Sequence, residues 1–224
     1  MTSRIFLVRH GESVHNVTKD FNLKDPDLTE AGQKQAESLA KTFPTPHTVA
    51  FVITSPLVRA VQTALGAFGE RLTLESPLED GEISIDLSDN KARLLIDPDL
   101  QERSALPCDT PSESEVLQYK TRLDVKKHIW KASGERWWVK EGPYAEDDET
   151  VAKRAKVVRE RLKKLVEFLE KASPGRDLVL VLHGVFMKFL TGDKDIDLPK
   201  AGWKAYHIKD GSDGPVLVPT EVEP

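Results

Sequence analysis

Cysteine is nearly missing from this chain: Cys108 is the single one among 224 residues. That excludes an intramolecular disulfide and a cysteine-built metal site, and it agrees with a reducing compartment. Long apolar runs are missing as well. Stretches such as Leu178 to Leu182 fall far short of the about 20 apolar residues that span a bilayer, so no membrane partner is expected. There is no surplus of positive charge either. Lys and Arg number 32 against 37 Asp and Glu, a formal charge of −5, which argues against nucleic acid as a partner. The opening Met-Thr-Ser-Arg runs straight into an apolar stretch without the basic start and cleavage site of a secretory signal, so a cytoplasmic location is expected. What is present is the make-up of a soluble globular protein, 39% hydrophobic and 31% charged, long enough to bury a core without a covalent staple.

Ile5-Phe-Leu-Val8 is a short apolar run stopped by Arg9-His10-Gly11, which reads as a buried strand feeding a loop. The pattern returns at Leu178-Val-Leu-Val-Leu182, which also ends on a histidine and a glycine, His183-Gly184. Between them, Thr29 and Gly32 followed by Ala36, Leu39 and Ala40 predict a capped amphipathic helix over about 29–42, closed by Pro44 and Pro46. Ala50 to Thr54 reads as another strand, and Ser55-Pro56 opens a helix through Phe68. This alternation predicts an α/β fold, a three-layer α/β/α sandwich on a mostly parallel central sheet. The rhythm breaks between about 79 and 148, where acidic, turn-rich pieces surround Trp130, Trp137, Trp138 and a Ser133-Gly134 loop. That stretch is expected to be an inserted subdomain over the active-site crevice of a single 1–224 domain. Its tryptophans either shape the pocket mouth or form the insertion's own core. A long helix over 148–171 follows, with Val151, Ala155, Val158, Leu162, Leu165 and Leu169 at helical spacing. Segments 203–208 and 216–218 could add edge strands.

Ligands of open α/β sheets bind beyond the carboxyl ends of the strands, so His10 and His183, each directly after an apolar strand, face one pocket if those strands are neighbours. Either histidine alone could equally be a structural residue. Arg9 offers a fixed fork of donors suited to phosphate oxygens, and Gly11 lets the backbone turn close to a ligand. Arg59, in Thr54-Ser-Pro-Leu-Val-Arg-Ala-Val-Gln-Thr63, falls on the first turns of a helix and points back toward the same rim.

Four ordered segments carry a resemblance: Arg9-His10-Gly11-Glu12-Ser13 with Asn16, then Asp25-Pro-Asp-Leu-Thr-Glu-Ala-Gly32, then Ser55-Pro56-Leu57 with Arg59-Ala60 and Thr63, and finally His183-Gly184. Together they resemble the histidine phosphatase superfamily, the phosphoglycerate mutase-like proteins, over roughly residues 4–70 and 148–192. The resemblance implies that His10 is the nucleophile that becomes phosphorylated. It also implies that Arg9, Arg59 and His183 hold the phosphoryl oxygens with help from Asn16. Glu102, in Asp97-Pro-Asp-Leu-Gln-Glu102, sits where the family places its proton donor, with Glu79 and Glu82 as alternatives. No metal and no cofactor is implied, since two guanidinium groups and a second imidazole can stabilise the equatorial oxygens. His10, expected half-exposed at a strand end, must be neutral to attack; its other nitrogen is then expected to be held as a donor by a carbonyl in the Gly11 turn.

Mutases of the family that use a bisphosphate cofactor carry Glu-Arg-x-Tyr-Gly at the proton donor, whereas Glu102-Arg103 is followed here by Ser-Ala-Leu-Pro. The expectation is therefore a metal-independent phosphomonoesterase acting on a small soluble phosphate ester. The alternatives are a mutase-type phosphoryl transferase, or a scaffold turned to binding or to a non-phosphorylated acidic substrate.

Overall fold

The computed structural model describes residues 2–73, 78–79, 82–83, 87, 89–130 and 136–222, with 78, 79 and 82 as backbone alone. Four apolar runs supply its centre: β1 (Ile5–Arg9), β2 (Val49–Thr54), β6 (Ala92–Ile96) and β7 (Asp177–Leu182). Runs buried on both faces suit parallel strands covered by helices. They lie in a seven-stranded sheet of order β3-β6-β2-β7-β1-β8-β9, where β3 is Leu72–Thr73, β8 Trp203–Gly211 and β9 Gly214–Thr220. The first five strands of that order are mutually parallel, while β8 and β9 add antiparallel edge pairs. A separate hairpin joins β4 (Leu78–Glu79) to β5 (Glu82–Ile83).

Strand periodicity sorts the core into two layers. Ile5, Leu7, Leu178, Leu180 and Leu182 face one side, where α5 (Asp148–Ala172) packs through Val158, Leu162 and Leu165 and α6 (Gly184–Thr191) through Phe186. Phe6, Val8, Val179 and Val181 face the other, against Leu39 of α2 (Glu30–Thr42) and Val61 and Ala64 of α3 (Val58–Phe68). Two short helices, α1 (Val14–Thr18) and α4 (Ser114–Thr121), complete the set. Capping follows the sequence. Thr29 Oγ1 accepts from Gly32 N at 3.0 Å, and Asp147 accepts from Thr150 N at 2.9 Å.

The stretch read as an insertion over 79–148 includes β6, a full strand of the main sheet flanked by β2 and β3. Its charged flank, Lys91 and Arg93, hides the apolar run Leu94-Leu95-Ile96 from a periodicity reading. Among the described residues of that stretch, the β4–β5 hairpin, 97–130 and 136–147 stand outside the main strands. The segment after β6 is pinned to the carboxyl end of that strand, where Ile96 N donates to His128 O and Trp130 N donates to Ile96 O. Trp130 and Trp137 are buried in the two cores and Trp138 packs against one of them, so these rings act as packing. The Ser133-Gly134 loop lies outside the described residues. No described helix is long and apolar enough to cross a membrane.

Candidate active site

The register Arg9↔Leu182 makes β1 and β7 parallel neighbours, so the residues that follow them, His10 and His183, emerge side by side. Their ring centroids are 5.1 Å apart. His10 is 4% exposed and therefore enclosed, where a half-exposed residue was expected. The turn that carries it packs against the first turn of α2: a Cβ on Gly11 would lie 2.7 Å from Gly32 O, and one on Gly32 would lie 2.0 Å from Glu12 O. Gly11 thus serves backbone packing against Gly32, which explains both glycines of the motif.

His10 Nδ1 lies 2.7 Å from Gly11 O, a carbonyl that can only accept, so Nδ1 carries the proton and the Nε2 lone pair is left over. Arg59 Nε donates to that lone pair at 3.3 Å. His183 is its counterpart with the opposite tautomer. Its Nδ1 accepts from Arg59 Nη2 at 3.3 Å, which leaves Nε2 to donate to Ser55 Oγ at 2.7 Å. Burial, then the Arg59 charge, holds both imidazoles well below the usual histidine range, so both are neutral near pH 7.

Arg59 enters from the first turn of α3, is 1% exposed and links the two rings. Its outer edge is held by the 104–109 loop: Nη1 donates to Cys108 O and Nη2 to Asp109 Oδ1, each at 2.7 Å. Ser104 Oγ donates to the other Asp109 oxygen at 2.6 Å. Arg9 turns its Nη1 toward Asp197 Oδ1 and Leu198 O. That leaves its Nε buried without a partner among the described residues, a free donor for an anion.

Glu102 follows a turn at Pro98–Leu100 and is 8% exposed. Its carboxylate accepts from Val185 N at 3.1 Å, Phe186 N at 2.9 Å and Arg103 N at 2.8 Å, so it caps α6 directly after His183. Asn16 is used locally: its Oδ1 accepts from Ser13 N and its Nδ2 donates to His15 Nε2, with no bond to the histidine pair. The side chains of Glu79 and Glu82 lie outside the described residues.

Sequence reasoning missed several contributors. Thr63 Oγ1, accepting from Gly11 N and donating to Arg59 O, stitches the two motifs together. Lys140 donates to Glu102 O at 2.6 Å and is drawn down to about 7 by burial and by Arg154. Lys200 precedes Ala201, whose N–H bonds His10 O. Burial, with Arg9 and Arg59, lowers it to about 8. Neither lysine lies in a motif; each reaches the site from a loop distant in sequence. Against the expectation of no metal cluster, one group among the described residues could hold a cation. His15, Cys108 and Asp109 have ligand atoms all within 4.8 Å of one another.

Residues 5–84 match the family model of the histidine phosphatase superfamily (branch 1). Over 76 residues the chain is 41% identical to phosphoglycerate mutase-like protein 1 of Arabidopsis thaliana, a stretch covering 29% of this chain and 27% of that protein. Over 84 residues it is 43% identical to phosphoserine phosphatase 1 of Hydrogenobacter thermophilus, covering 37% and 39%. The matches thus span well under half of those relatives' length. Among solved structures, mycobacterial glucosyl-3-phosphoglycerate phosphatase with VO3 aligns over 98% of both chains at a TM-score of 0.59 and 18% identity. The ecdysone phosphate phosphatase of Bombix mori with tungstate gives 0.59 at 20% identity, over 99% of this chain and 95% of that one. At such identities the likeness is one of fold.

Proposed function

We propose, from the match of residues 5–84 to the histidine phosphatase superfamily model, that this chain is a member of that superfamily and a phosphomonoesterase that hydrolyses a small phosphate ester through a phosphohistidine on His10. The observation that carries the reading is the tautomer of His10. Gly11 O takes the Nδ1 proton, so the Nε2 lone pair faces Arg59 and His183 in a closed pocket. The names of two relatives, phosphoserine phosphatase 1 and the 5''-phosphoribostamycin phosphatase of Niallia circulans, point the same way.

In this reading the Arg59 Nε–H that rests on His10 Nε2 is the donor an incoming phosphoryl oxygen takes over. Substrate binding thereby bares the nucleophile. Nε2 forms the N–P bond as the P–O bond to the alcohol breaks, and Glu102 gives the departing oxygen its proton. Water then attacks phosphorus, Glu102 accepts a proton, the N–P bond breaks and inorganic phosphate leaves. Arg59, Arg9 Nε and His183 meet the charge on the equatorial oxygens, with Lys140 and Lys200 adding to the positive field. To act as the acid Glu102 must enter the step protonated and give up at least one of the amide donors that favour its ionised form.

Three measurements test the proposal: phosphate release from a panel of sugar, acid, nucleotide and aryl phosphates, transfer of radiolabelled phosphoryl to the protein, and both repeated after exhaustive chelation. The expected outcome is turnover that survives chelation, with an acid-labile, base-stable label that is missing from His10→Ala. A variant turning over at the native rate, or an absolute need for a divalent ion, would overturn it.

A further inference from the structure

We propose that His15, Cys108 and Asp109 form a Zn2+ site joined to His10 through Arg59, by way of which the metal inhibits the enzyme. The inhibitory part rests on the phosphatase reading; the binding part does not. Imidazole nitrogen, thiolate sulfur and carboxylate oxygen are the three donor types that zinc takes in proteins. Tetrahedral bonds of about 2.0–2.3 Å place such donors roughly 3.3–3.8 Å apart. The three atoms here already lie within 4.8 Å of one another, so modest side-chain movement closes the site.

Hydrogen bonds hold His15 and Asp109 in place as the ligands of a bound metal are held. His15 Nδ1 lies 3.2 Å from Ser13 Oγ, whose own proton goes to Asp27 O at 2.7 Å. His15 therefore donates from Nδ1, and among the described residues its Nε2 lone pair is met by Asn16 Nδ2, an amide that a cation displaces. Asp109 is aimed by Arg59 and Ser104, one on each oxygen. The two chain segments are laced to each other as well: Cys108 N donates to Phe21 O and Asp25 N to Pro107 O, each at 3.2 Å. The donors thus come from distant parts of the sequence but are brought together before any metal arrives. The Cys108 thiol, which burial and Asp109 push up to about 11, gives its proton to solvent as the Zn–S bond forms, and the resulting thiolate together with the Asp109 carboxylate neutralises the cation without any change of oxidation state.

Asp109 is where the site meets the catalytic machinery. A carboxylate drawn to zinc gives up part of its bond to Arg59, and Arg59 then loses the anchor that aims it at His10 and His183.

The test uses the whole metal-free protein. Co2+ as a spectroscopic stand-in should give one equivalent per chain, with a thiolate-to-cobalt charge-transfer band and tetrahedral visible bands. Zn2+ should lower phosphate release, and Cys108→Ser, which keeps the backbone carbonyl that Arg59 uses, should raise the half-inhibiting Zn2+ concentration at least about 10-fold. The inhibition of each protein is read against its own metal-free rate. Absence of the charge-transfer band overturns the site. Equal inhibition of both proteins places the metal elsewhere and also overturns it, as does binding without inhibition for the inhibitory part. If no ester is hydrolysed at all, the phosphatase reading fails while the cobalt spectrum still decides the site.

Discussion

The floor of the pocket and its rim are built by different means. On the floor, His10, His183 and Ser55 stand at the ends of the neighbouring strands β1, β7 and β2, and Arg59 sits one helical turn beyond. Backbone ladders and short side chains such as Thr63 hold them in place. On the rim, residues 97–130 and 136–147 are held by long side chains that reach carbonyls. Arg154 Nη1 donates to Asp99 O and Gln101 O, Arg161 pairs with Asp97 and Asp99, and Lys140 donates to Glu102 O. A strand-end site fixes residue identity at short spacing, and so leaves a motif. Carbonyls can be supplied by any residue, so beyond the Asp97–Glu102 stretch, whose two aspartates pair with Arg161, the rim leaves none.

The sharpest break of that comparison is at the floor. His10→Ala should lower kcat/KM for every ester by at least about 10⁴-fold, since no other group supplies a nucleophile. His10 is buried, so His10→Asn is the companion variant: its side-chain amide can still donate toward Gly11 O while Nε2 is removed. Equal losses in both variants, with thermal unfolding midpoints near native in the asparagine form, assign the effect to chemistry rather than folding. Turnover surviving in either would end the floor's claim to the nucleophile.

At the rim the expected losses depend on the leaving group. Glu102→Gln should slow alkyl phosphates by about 10²–10⁴-fold and an activated aryl phosphate far less, because the aryl oxide needs little protonation. Phosphohistidine should also linger on His10. Uniform slowing of both classes would leave Glu102 as a cap of α6 alone.

This division matches what could be read from the residues. The strands ending at His10 and His183, the helix carrying Arg59 and the Thr29 cap were all legible, because local spacing alone decides them. Gly11 was legible as a special position, but its reason, contact with Gly32, needed two segments brought together. β6 was folded into the supposed insertion, since Arg93 and Lys91 break its apolar run. Asp109, Lys140 and Lys200 could not be found, because their neighbours lie in distant segments and no spacing relates them. Asn16 shows the converse: it falls in a motif, yet its amide is committed to Ser13 and His15.

A smaller effect is expected from the support behind the rim. Arg154 is a positioning residue: it ties the Glu102 loop to α5 and stacks over Phe186, with its guanidinium carbon 4.6 Å from the ring centroid. Arg154→Met keeps the bulk but orphans two carbonyls, each costing about 1–3 kcal/mol when buried. It should lower kcat on alkyl phosphates about 10-fold while leaving the aryl phosphate and KM little changed, the same leaving-group dependence as Glu102→Gln on a reduced scale. A loss spread equally over both esters would mean that Arg154 serves stability alone.

The smallest expected effect separates the two regions by pH. The floor histidines are held well below 6.5, so neither gains charge between pH 6 and pH 8. The rim and the loop behind His10 do titrate, through Lys140 at about 7 and Lys200 at about 8. As pH rises through these values the pocket loses positive charge and attracts a phosphate dianion less. The alkaline limb of kcat/KM should therefore fall by about 3–10-fold, and less at high salt. The sign for stability is opposite. A lysine whose folded value is depressed binds fewer protons folded than unfolded between that value and 10.5, so its contribution to stability rises with pH across that window. Activity and stability should thus part above pH 7, with lower kcat/KM alongside a smaller stability penalty from these two groups. Lys200→Met removes one titration, so its kcat/KM profile should start lower and lose the step near pH 8. A native profile in that variant would show that the charge lost on the alkaline side lies elsewhere, and would leave Lys140 to account for the alkaline fall.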